Sequence, residues 1–505
     1  MRETYEKLVE KLGEVQDVAG AAGVLAWDQR TKMPTAGAQA RADQLATLTR
    51  IVYEKFTAEE IGDLLDEVVD WSQAQDYDSV EASLVRIVRR DYDKARKVPV
   101  ELRAEMARSA ALADPVWREA RATSDFALFL PHLEHAIELR RRYIECFQPV
   151  DEPYDALLDD YEPEMKTAEV RAVFDELKAG LVPLVAAIAE RADAVDDSML
   201  IGDFSLDGQE EVELEILRVF GYRDDEWRVD ETTHPFAAKG GPQDIRLTTT
   251  HHADNLSSLF ACMHEFGHGL YEYQVDRALY RTPLLRGASL GVHESQSRMW
   301  ENMIGRSMPF WRRFFPNLQR AFPAALGGTD AEGFYRAVNR VQPSLIRIRA
   351  DEVTYNLHII LRFELEQALV DGTLAPADVE QAWDAKVHEY LGIDVPDVAD
   401  GVLQDMHWSG GAIGYFPTYA LGNVISGQLW ERIRADLPDL EAQIEAGELG
   451  PLRDWLHEHV HRYGRKLMPK ELVERVVGGP MDPQPLLRYL NDKFGAIYEL
   501  DGARP

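Results

Sequence analysis

Most of this chain repeats its apolar residues with the spacing of an α-helix. Segments such as ETYEKLVEKLGEVQDVAG (residues 3–20) and RAVFDELKAGLVPLVAAIAERADAV (residues 171–195) place apolar residues three and four positions apart, which is the period of one helix face. Alternation of the strand type is scarce, and its best example is DIRLTTT at 244–250. No internal repeat and no linker divides the sequence. We therefore predict a mainly α-helical protein with one small β element, organised as a single unit over residues 1–505.

The charge of the chain is strongly negative. Asp and Glu total 88 against 55 Lys and Arg, a formal net charge of −33, and only 13 of the 55 basic residues are Lys. Binding to nucleic acid requires a basic surface, so we expect no nucleic-acid partner. An acid-rich, Lys-poor surface suits molar salt, where self-repulsion is screened over about 3 Å. We therefore expect a halophilic protein, the alternative being an ordinary acidic protein.

The expected location is the cytoplasm. No apolar run approaches the roughly 20 residues of a membrane helix, and the charged N-terminus does not resemble a signal peptide. Cys146 and Cys262 are the only cysteines, so a disulfide framework is not expected. We expect no membrane partner.

The stretch FACMHEFGHGLYEYQ, at 260–274, contains an H-E-x-x-H motif. Its apolar residues form one helical stripe, and His264 and His268 lie one turn apart, so both imidazoles can reach one cation. Glu265 then lies beside the ion. Two neutral nitrogen ligands and a carboxylate that takes a proton from metal-bound water are what a zinc hydrolase needs. A pair of surface histidines on a solvated helix is the alternative.

A third ligand is needed for a catalytic zinc site. The longer HExxHxxGxxH pattern is excluded, because Tyr271 and Gln274 occupy its Gly and His positions. The segment GVHESQSRMWENMIG, at 291–305, offers Glu294 on one helix face with Glu301. Its neighbour His293 is an alternative, but it points about 100° away from Glu294. We favour Glu294, which gives a His2Glu set with an open fourth position.

The chain resembles the carboxypeptidase Taq family of thermostable metallocarboxypeptidases over nearly its whole length. The blocks that carry the resemblance follow the family's order, namely LAWDQRTKMP (25–34), YDALLDDYEPEM (154–165), HPF (234–236), DIRLT (244–248), HEFGH (264–268), HESQSR (293–298), IRIRADEVTY (346–355) and GVLQDMHWSGGAIGYFPTY (401–419). Glu164 and Ile413 depart from the family's pattern, which expects Gly and an aromatic residue there. Neither falls on a proposed catalytic group.

The resemblance implies a mainly helical, two-lobed molecule with a deep active-site cleft, similar to neurolysin and angiotensin-converting enzyme, and a homodimer. It implies removal of single residues from peptide C-termini with broad side-chain tolerance. The implied metal is zinc, with cobalt able to substitute. The expected partners are peptide substrates with a free C-terminus.

A carboxypeptidase must bind a terminal carboxylate, and a guanidinium fork matches that anion. Arg246, in the predicted strand, and Arg349 are the candidates. An ion pair with Asp351 is the structural alternative for Arg349, and simple exposure is the alternative for Arg246. As an edge strand, DIRLTTT could also pair with an extended peptide.

The oxyanion that forms during peptide hydrolysis needs a donor beside the metal. His407 and Tyr415 are the candidates, with Tyr419 as the substitute for Tyr415. His234, before a proline, is a candidate for lining the substrate pocket.

These observations predict a cytoplasmic zinc carboxypeptidase in which Glu265 is the general base. An oligopeptidase on the same scaffold is the nearest rival, and cleavage of C-terminally amidated peptides would reveal it. A helical scaffold with a vestigial metal site is the rival from another class, but a structural site needs no general base.

Overall fold

The computed structural model of the protein describes residues 1–500. Helices dominate it, and a three-stranded sheet precedes the motif helix, so the prediction of a mainly α protein with one small β element is confirmed. The helices are α1 Arg2–Thr31, α2 Ala38–Phe56, α3 Glu59–Gln73, α4 Val80–Lys97, α5 Val100–Thr123, α6 Phe126–Glu145, α7 Asp155–Leu158, α8 Thr167–Ala189, α9 Leu206–Phe220, α10 Ser257–Gln274, α11 Leu290–Arg298, α12 Met308–Ala321, α13 Pro323–Leu326, α14 Ala331–Val338, α15 Tyr355–Asp371, α16 Val379–Leu391, α17 Pro417–Asp436, α18 Leu440–Ala446, α19 Gly450–His459, α20 Pro469–Val477 and α21 Gln484–Tyr498. A π-helical segment, Met299–Ile304, continues α11.

The apolar side chains form two cores. The larger core surrounds α10 and includes the aromatic group Phe220, Phe266 and Trp300, whose ring centroids lie 4.6–5.3 Å apart. The smaller core joins α1, α3 and α4 to the loop before α11. None of the helices within residues 1–500 combines the length and the apolarity that a membrane crossing requires.

The sheet consists of β1 Trp227–Glu231, β2 Ala237–Gly241 and β3 Asp244–Thr249. Its order is β1-β3-β2, with β3 parallel to β1 and antiparallel to β2. The predicted strand is therefore real, but the expectation that it lies at an edge is wrong. Both sides of its backbone are already paired. Sequence patterns missed β2, because its residues AAKGG have little strand propensity.

The sheet packs directly against the motif helix. Gly269 of α10 makes this possible, because a Cβ at this position would lie 2.8–2.9 Å from Trp227, Ile245 and Leu247. The missing side chain lets the helix and the sheet approach closely. This packing fixes the orientation of α10, and with it the directions in which His264 and His268 project.

His251, in the connection from β3 to α10, ties three elements together. Its Nε2 lies 2.9 Å from Glu213 of α9, and its Nδ1 lies 3.1 Å from Glu231 at the end of β1. These carboxylates raise the pKa of His251 to about 9, against the opposing effect of burial. The imidazolium therefore helps to anchor the start of the motif helix.

We expect the stability of the protein to fall as the pH rises through 9. The folded pKa of His251 is raised above its usual 6.5, so its contribution is fully present below pH 6.5 and is lost near pH 9. The loss is roughly 1 to 2 kcal/mol after allowance for solvent screening. Urea unfolding at pH 6 and pH 9.5 measures it. His251→Gln should flatten the pH dependence, and an unchanged slope in this variant would contradict the assignment.

Candidate metal centre

Helix α10 carries the H-E-x-x-H motif at its centre. His264 and His268 project from one face, and their ring centroids lie 4.9 Å apart. The intervening Gly267 faces α11, where a Cβ would lie 2.6 Å from the carbonyl oxygen of Gln296. Only glycine permits this approach, which brings α11 and its acidic residue beside the two histidines.

A second glycine lets another helix pack closely against the acidic residue. Gly422 of α17 contacts Glu294, and a Cβ at position 422 would lie 2.7 Å from the Cβ of Glu294. Ser289 caps the start of α11, its Oγ accepting a hydrogen bond from the amide of Val292 at 3.1 Å. Glu294 is thus held between α10 and α17.

We expect Gly267→Ala to destabilise the protein and weaken metal binding together. The added methyl forces α10 away from α11, and overpacking of this kind costs about 1–3 kcal/mol. The matched control is Gly23→Ala in α1, where a Cβ would meet no atom within 4 Å. Thermal unfolding and metal titration measure both variants. A Gly267→Ala protein as stable as Gly23→Ala, with unchanged metal affinity, would contradict the packing argument.

His264, His268 and Glu294 form a cluster that fits a metal ion. One ligand atom from each lies within 4.8 Å of the other two. Glu294 Oε2 is 3.6 Å from His264 Nε2 and 3.4 Å from His268 Nε2. Three atoms bound about 2.0–2.2 Å from one tetrahedral zinc ion stand about 3.4 Å apart, so these distances need little change.

Each histidine is oriented by a group on its other nitrogen. His264 Nδ1 lies 2.9 Å from Oε2 of Glu301, in the π-helical segment. His268 Nδ1 lies 2.6 Å from Nδ1 of His293, whose Nε2 is 2.9 Å from Glu272. Such contacts fix the ring orientation and the tautomer of a metal-binding histidine. His293, the alternative third ligand, therefore lies behind His268 rather than in the cluster.

The half-buried Arg298 keeps Glu294 ionised. Arg298 Nε donates to Glu294 Oε1 at 2.7 Å, and its NH1 lies 3.2 Å from Glu301. Burial favours the neutral acid, but Arg298 and the histidines outweigh it and hold the pKa of Glu294 well below its usual range. Glu294 is thus a carboxylate ready to bind a cation at any ordinary pH.

Glu265 lies beside the cluster without a partner. The residue is 6% exposed, and its Oε2 is buried with no hydrogen bond. Burial raises its pKa to about 7. An unpaired buried acceptor is costly, and such groups mark functional positions. This position suits a group that exchanges a proton with a molecule bound at the cluster.

His407 packs against Tyr415, which lies near Glu294. Their ring centroids are 5.3 Å apart, and Tyr419 Oη donates to Tyr415 Oη at 3.4 Å. Burial lowers the pKa of His407 to about 4, so the ring is neutral at pH 7. Burial raises the pKa of Tyr415, to which the negative charge of Glu294 also contributes. Both side chains therefore retain a hydrogen to donate.

A buried acid holds the segment that carries these two residues. Glu366 of α15 accepts hydrogen bonds from Trp408 Nε1 at 2.8 Å, from the Gly414 amide at 3.0 Å and from Tyr154 Oη at 2.6 Å. Sequence reasoning missed Glu366, as it missed the roles of Glu301 and His293, because each acts through residues distant in the chain.

The three substrate-binding candidates differ in their surroundings. Arg246 donates to both oxygens of Asp244 at 2.8 and 2.7 Å and is therefore already engaged. Arg349 is exposed, and it makes no ion pair with Asp351 or with any other acid of residues 1–500. It lines a cavity of about 220 Å³ together with Arg298 and Glu301. His234 is exposed in the bend before β2.

Residues 7–494 match the family model of the carboxypeptidase Taq (M32) metallopeptidases. The chain belongs to this M32 family. It is accordingly a metallocarboxypeptidase, and the predicted membership is confirmed. M32 carboxypeptidases depend on a metal, for which the His264, His268 and Glu294 cluster is the candidate site.

Named relatives agree with this membership. The chain is 42% identical over 504 residues to thermostable carboxypeptidase 1 of Thermus thermophilus, covering 98% of this chain and 99% of that protein. Carboxypeptidase 1 of Bacillus subtilis is 36% identical over 499 residues, with 98% and 99% coverage.

Solved M32 structures share the fold. The M32 carboxypeptidase of Deinococcus radiodurans superposes with a TM-score of 0.95 at 38% identity, covering 98% of this chain and all of that one. A Pyrococcus furiosus carboxypeptidase gives 0.95 at 35% identity, with 98% and 99% coverage. The expected similarity to neurolysin and angiotensin-converting enzyme stays a prediction.

Proposed function

We propose that this metallocarboxypeptidase uses zinc and a glutamate base to release single amino acids, with broad side-chain tolerance, from peptides with a free C-terminus. The observation that carries this proposal is the unpartnered Oε2 of Glu265 beside a His2Glu cluster. A purely structural site closes its fourth position with Cys or His and needs no such base.

The donor set fits zinc. Two imidazoles and one carboxylate are a common catalytic zinc set, and cobalt accepts the same ligands. When bound, the metal supplies a Lewis acid that makes water acidic and takes up negative charge. His264, His268 and Glu294 would hold it, while Glu301 and His293 would keep the rings in place.

Glu265 would handle the proton. Its free Oε2 accepts a proton from the attacking water and then gives it to the nitrogen of the leaving amino acid. Burial favours the protonated form of Glu265, which helps this carboxyl group to hold the proton between the two transfers.

His407 and Tyr415 are the proposed donors to the oxygen that becomes negative during attack. Tyr415 is close enough to Glu294 for that charge to raise its pKa, His407 packs on Tyr415, and both side chains keep a hydrogen at neutral pH. Donors already in place stabilise such charge without reorganisation. Tyr419, bonded to Tyr415, is the substitute.

Arg349 is the better candidate for the terminal carboxylate. It has no ion-pair partner within residues 1–500 and lines a cavity beside Arg298 and Glu301. Arg246 is engaged with Asp244, which makes it less suited to a substrate. His234 keeps its proposed role of lining the substrate pocket.

The test uses one N-blocked peptide as the free acid and as the C-terminal amide, digested with zinc present and followed by mass spectrometry. We expect stepwise loss of single residues from the free acid only. Internal cuts in both peptides would move the assignment to an oligopeptidase. No cleavage despite bound zinc would refute the proposal.

We also propose that the protein works in the cytoplasm, as a homodimer, in molar salt. The salt proposal rests on the formal charge of −33. We expect activity and folding to persist in molar KCl and to decline in dilute buffer, because self-repulsion is then unscreened. Activity assays and circular dichroism across a KCl series measure this. Greatest stability without salt would contradict it.

A further inference from the structure

The two metal-binding candidates of α10 have different partners behind them. His264 Nδ1 lies 2.9 Å from a carboxylate oxygen of Glu301. His268 Nδ1 lies instead 2.6 Å from another imidazole nitrogen, Nδ1 of His293. A histidine that binds a metal almost always has a carboxylate, a backbone carbonyl oxygen or a water molecule at its second nitrogen. The imidazole behind His268 therefore needs an explanation of its own.

The contact between His268 and His293 fixes which ring carries the shared hydrogen. Nε2 of His268 lies 3.4 Å from Oε2 of Glu294 and therefore faces the ligand cluster. A neutral imidazole that binds a cation through Nε2 carries its hydrogen on Nδ1. His268 Nδ1 is then the donor, and Nδ1 of His293 must be the acceptor. The hydrogen of the neutral His293 ring is accordingly on Nε2.

Glu272 accepts that hydrogen. Its Oε1 lies 2.9 Å from Nε2 of His293, and the Gly287 amide donates to the same oxygen at 3.2 Å. Lys239 of β2 contacts the other oxygen, Oε2. Burial opposes the ionisation of Glu272, but Lys239 and His293 hold its pKa well below the usual range. Each donor therefore meets an acceptor, from His268 through His293 to Glu272.

The ring of His293 has little room to turn. Its centroid lies 5.2 Å from that of Tyr271. A Cβ on Gly287 would lie 2.8 Å from Cδ2 of His293 and 2.8 Å from Cε1 of Tyr271, so only glycine leaves space for both rings. Glu272 lies one turn beyond His268 on α10 and therefore shares the histidine face of the helix. Packing and spacing thus hold the carboxylate and the two rings in one arrangement.

We propose that Glu272 is a positioning residue for the metal centre, which acts through His293 to fix the ring orientation and the hydrogen position of His268 and so strengthens metal binding. The inference deepens the proposed function, because it rests on the His2Glu site and adds a residue outside the ligand set. Without the Glu272 carboxylate, the hydrogen of His293 can move to Nδ1. Two hydrogens would then face each other between Nδ1 atoms 2.6 Å apart, and His268 would have to rotate away.

The experiment measures zinc affinity by competition with a chromophoric chelator, with no peptide present. Glu272→Gln removes the charge and lets an amide NH2 group face Nε2 of His293. We expect the affinity for zinc to fall about tenfold. The second variant is His293→Asn, whose side-chain oxygen can accept from His268 Nδ1. It leaves nothing at the position of Nε2, so Glu272 is disconnected from the centre.

The double variant separates an action through His293 from a general effect of charge. In the His293→Asn background, Glu272→Gln should lower zinc affinity by less than about twofold, because the path from the carboxylate to His268 is already broken. A merely structural or long-range electrostatic role of Glu272 predicts the same tenfold loss in both backgrounds.

Glu364→Gln is the matched control. Glu364 is also paired with lysine, with Lys178 at 2.6 Å and with Lys386. Its side chain is 21% exposed, against 17% for Glu272. The two lysines belong to α8 and α16, which carry no residue of the ligand cluster. We expect this variant to bind zinc as tightly as wild type.

A measurement on the zinc-loaded wild type keeps the inference testable if Glu272→Gln fails to fold. In protein labelled with ¹⁵N-histidine, two-dimensional NMR shows which nitrogen of each ring carries hydrogen. The signals that disappear in His293→Asn belong to His293. We expect its hydrogen on Nε2.

Three results would overturn the inference. Wild-type zinc affinity in folded Glu272→Gln would show that the carboxylate does not support the centre. An equal loss in both backgrounds would show that Glu272 acts by another route. A hydrogen on Nδ1 of His293 would reverse the hydrogen bond to His268. A wild type that binds zinc but cleaves no peptide would instead refute the proposed function and leave this inference standing.

Discussion

The Glu265→Gln variant is expected to keep its metal and to lose about 10²–10⁴-fold in kcat. Glutamine has the same shape but cannot accept the proton of the attacking water, and general-base catalysis is worth about this factor. The carboxyl group of Glu265 makes no hydrogen bond through Oε2, so the amide replaces no contact on which the fold depends. Steady-state kinetics and metal analysis of the purified variant measure both effects.

Glu162→Gln is the control for this prediction. Glu162 is another buried acid whose pKa burial raises to about 7, and it accepts a hydrogen bond from the Gly291 amide rather than facing the ligand cluster. We expect kcat to change less than about tenfold, because no proton passes through this group. Equal losses in the two variants would show that Glu265 is not the specific base.

The Glu294→Ala variant is expected to lose metal affinity by more than 100-fold, and activity with it. Removal of the carboxylate leaves two imidazoles, and it leaves the half-buried Arg298 beside them without its 2.7 Å partner. Competition with a chromophoric chelator measures the affinity. Excess zinc should restore only part of the activity.

Two further variants test how much Glu301 and His293 contribute to metal binding. Glu301→Gln removes the negative charge 2.9 Å from His264 Nδ1 and should cost about 10–100-fold in metal affinity. His293→Ala tests the alternative third ligand. Wild-type affinity in Glu294→Ala together with lost binding in His293→Ala would show that His293, and not Glu294, completes the site.

The sequence by itself predicted the helical class, a strand within 244–250 and the three residues proposed as metal ligands. Helical periodicity and H-E-x-x-H spacing are local, because residues four apart always share one helix face. The choice of Glu294 over His293 also followed from local geometry, and the structure places Glu294 beside both histidines.

Only the tertiary structure decided which residues contact the proposed ligands and which arginines are already paired with an acid. The central position of β3, the pairing of Arg246 with Asp244 and the contact of Glu301 with His264 each depend on which elements meet. These contacts depend on the close packing of helices and strands, as at Gly267, and they join residues that are far apart in the chain. Local patterns therefore pointed to the candidate residues, and long-range packing determined their environment.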